Sequence, residues 1–71
     1  MRYFFHIADG NSEFKDEEGQ DFSSPEAARA HAATVARELA TDAKDYLTFT
    51  VYVMDENGNK IAQVAVAGPY D

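Results

Sequence analysis

The chain has no cysteine among its 71 residues, and only two prolines, four glycines and two histidines. Without cysteine there are no disulfides to staple a small fold, and the thiolates on which most structural zinc sites depend are missing. Long apolar runs are also absent. The opening Met1 to Ile7 is broken by His6 and closed by Asp9, far shorter than a signal-peptide core or a membrane-spanning helix. No export signal and no membrane segment are expected, and a cytoplasmic location is the natural reading. Basic charge is scarce: six Lys plus Arg face thirteen Asp plus Glu, a net charge of −7. Such a field repels phosphate, so nucleic acid is not an expected partner, whereas a basic protein is compatible.

A domain of this length buries only about 60% of the surface its unfolded chain exposes. Where disulfides are excluded, self-association is one of the remaining ways to add buried area. No repeat, linker or low-complexity segment divides the chain, which reads as a single domain over residues 1–71.

Tyr3, Phe5 and Ile7 alternate with Arg2, Phe4 and His6, the period of two that marks a strand at about 2–8. Asp9 to Ser12 are turn formers. Glu13 to Lys15 suit a short second strand, Asp16 to Gly19 an acidic turn, and Gln20 to Phe22 a further extended piece. Ser23 followed by Glu26 reads as a capping box, with Pro25 in the first helical turn. From Ala28, the positions Ala32, Val35, Ala36, Leu39, Ala43 and Tyr46 recur at three and four, tracing one apolar stripe over roughly twenty residues. Because the stripe is mostly alanine, the helix is expected to lie close on its sheet.

Leu47 to Met54 and Ile61 to Ala67 are two strand-like runs around Asp55 to Lys60, which predicts a β-hairpin. With Asn57 and Gly58 as a two-residue turn, Asp55 faces Lys60, Val53 faces Ala62, Val51 faces Val64 and Phe49 faces Val66. Gly68, Pro69, Tyr70 and Asp71 then end the strand. The expected fold is α+β, in the order β-β-α-β-β, with one long helix on one face of a three- to four-stranded antiparallel sheet.

One helix covers one face, here Tyr3, Phe5, Ile7, Phe49, Val51, Val53, Val64 and Val66. The other face carries Phe4, His6, Thr50, Tyr52, Met54, Ile61, Gln63 and Ala65, far more apolar than a solvated sheet face usually is. An uncovered patch of that kind marks an interaction surface. Phe4, His6, Tyr52, Met54 and Ile61 are the candidate interface residues, and a homodimer is the expected assembly.

Little else suggests chemistry. His6 lies mid-strand among aromatics, where packing is commoner than base catalysis. The helical neighbours of His31 are Ala27, Ala28, Thr34 and Val35, which offer no second ligand. Asp55 to Asn59 lacks the glycine and glutamate spacing of an EF-hand loop, and Asp16 to Glu18 read as a solvated acidic turn. No catalytic residue, cofactor or metal site is expected. One local rule is broken: Glu38, Asp42 and Asp45 place like charges near the helix C-terminus, where the dipole opposes them.

Arg2-Tyr3-Phe4-Phe5-His6-Ile7, Asp9-Gly10, Asp16-Glu17-Glu18-Gly19, Glu26-Ala27-Ala28-Arg29-Ala30 and Ala36-Arg37-Glu38-Leu39 together are similar to a family of small alphaproteobacterial proteins classed as a domain of unknown function. The resemblance spans most of the chain and implies no assigned catalytic residue. A fainter similarity links Ser23, Glu26 and Ala27 to the helix entry of HicB-type antitoxin domains, although this chain adds a final hairpin and lacks an appended DNA-binding segment. That likeness implies a regulator whose acidic surface binds a basic protein. The leading expectation is a non-enzymatic, self-associating interaction module, and the alternative is an antitoxin-like regulator.

Overall fold

A computed structural model describes residues 1–42 and 46–66 of the chain. Strand β1 (Arg2–Ala8) is followed by two short strands, β2 (Glu13–Phe14) and β3 (Gln20–Asp21). Helix α1 (Pro25–Asp42) comes next, and then β4 (Thr50–Asp55) and β5 (Lys60–Ala65). The fold is α+β, with one helix and a five-stranded antiparallel sheet in place of the three to four strands expected. The extra element is the Gln20 to Phe22 piece, which joins the sheet as β3.

The first strand in sequence sits inside the sheet. β1 pairs with β4 from Tyr3 opposite Asp55 to Ala8 opposite Thr50, and β5 flanks β4 on the far side. The other side of β1 is shared, with β2 pairing Ile7 and Ala8 and β3 pairing Arg2 and Tyr3. The ladder continues past β3, where the Phe22 amide donates to the Met1 carbonyl at 3.0 Å.

The helix starts one residue later than the capping box requires. The Ser24 hydroxyl accepts the Ala27 amide at 3.1 Å, so Ser24 is the N-cap and Pro25 the first helical residue. Glu26 then occupies the second position, too early to reach back in a capping box, but it still lies in the first turn where the helix dipole favours an acid. Ala28, Ala32 and Ala36 are buried against the sheet, with Val35, Leu39 and Ala40 half-buried beside them. Methyl-sized side chains bring α1 close over β4 and β5, leaving Val51 and Val53 with no exposed surface. Ala43 of the expected stripe and Asp45 of the charge cluster lie outside the described residues, as does the Asp42 side chain.

Over β1 the inner face is filled by aromatic rings. Phe22 meets Tyr3 at 6.2 Å and Phe5 at 5.7 Å between ring centroids. His31 meets Phe5 at 5.0 Å and Phe22 at 5.2 Å, so this histidine is a packing residue at the helix–sheet seam. Tyr46 belongs to a turn, where its carbonyl accepts the Phe49 amide at 3.0 Å, and β4 begins at Thr50, three residues later than expected. Tyr46, Phe49 and Phe14 form a second aromatic cluster, with Phe14 still 52% exposed.

The hairpin keeps its expected apolar pairs and changes its turn. Val53 faces Ala62 and Val51 faces Val64, and the Val66 amide donates to the Phe49 carbonyl at 2.9 Å. The Asp55 amide, however, donates to Asn59 and not to Lys60, and Gly58, at φ 86°, donates to the Asp55 carbonyl. Three residues therefore form the loop, in the type I turn plus left-handed glycine that three-residue hairpins favour. The one-residue mismatch is absorbed as a β-bulge between Val53 and Met54, so Met54 faces Lys60. Ile61 consequently leaves the outward alternation and packs against the core cluster. Ala67 and the tail Gly68 to Asp71 lie outside the described residues.

Candidate functional site

The face of the sheet away from α1 is formed by β1, β4 and β5. Phe4 lies opposite Met54, His6 opposite Tyr52, and Tyr52 opposite Gln63. Phe4, His6, Tyr52 and Met54 are all half-buried. Four of the five candidate interface residues thus share one contiguous surface, and Ile61, moved by the bulge, does not complete it. The Phe4 and His6 rings run nearly parallel, 10° apart with centroids at 6.5 Å. Lys60 extends across the same face, its Nζ 5.9 Å from the Tyr52 ring centre and 2.8 Å from Gln63 Oε1. No pocket opens on the described residues.

The acidic turn at Asp16 to Gly19 takes part in this face. Between β2 and β3 the chain swings out of the ladder, and the Asp16 side chain bridges the gap. Its Oδ2 accepts the Phe5 amide at 3.1 Å, while Oδ1 accepts the amides of Glu18 at 3.2 Å and Gly19 at 3.0 Å. The Asp16 amide in turn donates to His6 Nδ1 at 3.0 Å, which fixes His6 as an acceptor at that nitrogen. Gly19 then lies against Phe4: a Cβ there would stand 2.8 Å from Phe4 Cε2 and from Arg2 Cγ, and the backbone φ is +72°. The Arg2 guanidinium donates to the Glu18 carbonyl at 2.7 Å and pairs with Asp21 at 3.4 Å.

Three aspartates organise the turns of the sheet in the same way. Burial pushes the Asp16 carboxyl up, but the amides of Gly19, Phe5 and Glu18, with the His6 ring nearby, outweigh it and hold the group below its ordinary value. The Asp55 carboxyl is also lowered, first by the Asn59 amide and then by the Asn59 side chain and the Asn57 amide. Asp9 is lowered by the amides of Asn11 and Ser12 and by the Thr48 hydroxyl. Each is a short side chain satisfying amides that no strand reaches.

Among the described residues no group of three His, Asp or Glu side chains is placed to hold a metal ion, and no helix is long and apolar enough to cross a membrane. One feature escaped the sequence reading. Phe14 is a strongly exposed aromatic on the helix side of the β2 edge, and it would have been legible from its pairing with Ile7 across the Asp9 to Ser12 turn.

The chain belongs to the family described as a domain of unknown function (DUF6894), whose match covers residues 2–67. The expectation of a family without an assigned activity is met to that extent. No curated protein and no solved structure matches the chain.

Proposed function

We propose that this protein is a non-enzymatic interaction module that associates with itself through the outward sheet face. The observation that carries this reading is the row of half-buried Phe4, His6, Tyr52 and Met54 on the side of the sheet away from α1. Tyr and Met in a flat, contiguous patch are the residue types interfaces favour, and a second copy of the face would cover them at the usual sheet spacing of about 10 Å. Light scattering across micromolar concentrations is expected to give a dimer mass for the native chain and a monomer mass for Tyr52→Asp. A native chain that stays monomeric at high micromolar concentration overturns the reading.

The net charge of −7 favours a second reading, an antitoxin-like regulator that binds a basic protein. Salt separates the two. Screening relieves repulsion between two acidic copies and strengthens self-association, whereas it weakens an acidic surface holding a basic partner. A pull-down that recovers no small basic protein at low salt counts against this second reading.

A further inference from the structure

The loop between β4 and β5 brings together the two groups of a covalent reaction. When glycine follows asparagine, its backbone nitrogen is the least hindered of nucleophiles toward the preceding carboxamide, because glycine has no side chain to shield it or to restrict the approach. Of the three asparagines in the chain, Asn57 alone is followed by glycine; Asn11 precedes Ser12 and Asn59 precedes Lys60. Asn57 and Gly58 are both exposed, and the space where a Gly58 Cβ would stand has nothing within 4 Å.

The three sites also differ in how their reacting groups are held. At Asn57 the attacking amide, that of Gly58, donates to a neutral acceptor, the Asp55 carbonyl, at 3.1 Å. Asn57 itself is tied through its backbone amide, which donates to Asp55 Oδ1 at 2.9 Å, and its carboxamide takes no part in the hydrogen bonds that close the turn. At Asn11 the attacking amide is that of Ser12, held by the Asp9 carboxylate at 2.8 Å. At Asn59 the carboxamide is held instead, its Nδ2 donating to Asp55 Oδ2 at 3.3 Å, and the amide beyond it belongs to Lys60, the first residue of β5. Hydrogen bonds to a carboxylate are roughly twice as strong as those between neutral groups, so the Gly58 amide is released more readily than the Ser12 amide. The reaction runs through the opened turn, at a rate set by how often that single neutral bond breaks.

We propose that Asn57 is a site of self-modification, deamidating through a cyclic imide with Gly58, and that the isoaspartyl product loosens the hairpin turn. The Gly58 nitrogen forms a bond to Asn57 Cγ, the bond from Cγ to the side-chain nitrogen breaks, and the Gly58 amide proton leaves with it as ammonia. Water then opens the ring. Attack at Cγ gives aspartate with the chain path unchanged; attack at the Asn57 backbone carbonyl gives isoaspartate, in which the chain runs through the side chain and gains a methylene. Either product sets a new carboxylate beside Asp55 and Glu56, and the isoaspartyl form also lengthens a three-residue loop whose register is already balanced by the bulge between Val53 and Met54.

The test is to incubate the native chain in mildly acidic and mildly alkaline buffer and to follow each asparagine by peptide mass spectrometry, with electron-transfer fragmentation to tell isoaspartate from aspartate. Asn57 is expected to convert more than about tenfold faster than Asn11 or Asn59 in the folded chain, and faster in alkali, which removes the amide proton. In urea, where the Asp9 and Asp55 bonds are gone, the lead of Asn57 over Asn11 is expected to shrink. Asn57 left intact in the folded chain while it converts in urea, or Asn11 or Asn59 converting as fast in the folded chain, overturns the site. The products carry one added carboxylate and separate from the native chain on ion exchange. They are expected to unfold at lower urea than Asn57→Asp, which adds the same charge and keeps the chain length; products that unfold together with Asn57→Asp overturn the loosening of the turn.

Discussion

The two faces of the sheet are built from the same strands yet answer to different demands. Beneath α1, Val51 and Val53 are sealed by Ala28, Ala32 and Ala36, and shape is everything there: a helix carrying methyl groups fits where larger side chains would not. On the outward side, Phe4, His6, Tyr52 and Met54 are only half-covered, and Asp16 ties down the β1 part of that face, its carboxylate accepting the Phe5 amide and its own amide donating to His6 Nδ1. The inner face holds the fold by packing. The segment from Asp16 to Gly19 fastens only the β1 edge of the outer face, while the ladders of β1, β4 and β5 hold the rest.

That contrast can be broken most sharply from the inside. Ala32→Leu forces a branched side chain between α1 and β4, and overpacking of this kind costs about 1–3 kcal/mol or more. Against about 4–10 kcal/mol for a chain of this size, urea denaturation is expected to show a large loss of stability. Gly19→Ala probes the seam between the two regimes. It places a methyl group against Phe4 at a positive φ, with an expected cost of about 1–3 kcal/mol by thermal melting, and it should also disturb Phe4 resonances in NMR spectra. Tyr52→Asp lies wholly on the outer side. Its expected effect on monomer stability is within about 0.5 kcal/mol, while its effect on association is complete.

Acid sharpens the comparison in a different way. The Asp16 carboxyl is held below its unfolded value of about 3.9, so its contribution is fully present above that pH and is lost as pH falls through the folded value. Asp9 and Asp55 act in the same direction. Stability is therefore expected to fall below about pH 4. Asp16→Asn should lower stability at neutral pH and converge on the native chain as acid is added. Parallel curves for the two proteins, measured by urea melts at a series of pH values, would remove Asp16 from this role.

The sequence makes the inner face legible and the irregularities much less so, for physical reasons. Val51 opposite Val64 and Val53 opposite Ala62 can be read directly, because a slip of one residue would turn every valine to the wrong side. The turn beyond them is harder. Asn57-Gly58 suggests a two-residue loop, but the Asp55 side chain, accepting the amides of Asn57 and Asn59, stabilises a three-residue loop and displaces Ile61. Similarly, Ser23 and Ser24 both suit a helix cap, and which of them acts depends on where the chain leaves β3. The Asp16 bridge has no local signature at all, since its partners Phe5 and His6 come from a strand ten residues earlier. Four of the five interface candidates fell on one surface because alternation alone decides a strand's faces. The fifth failed where a bulge suspends that alternation.

The position of β1 between β3 and β4 has a kinetic consequence. Although Arg2–Ala8 is synthesised early, its longest ladder is to Thr50–Asp55, which follows the entire helix. A nascent chain that has reached the end of α1 owns both halves of the broken edge but has nothing to lay beneath its alanines. Collapse must then wait for the last hairpin and for closure of a long loop, which slows folding and makes it all-or-none. Chains cut short before Thr50 are thus expected to behave as unfolded substrates for proteases, with no partly assembled domain left behind.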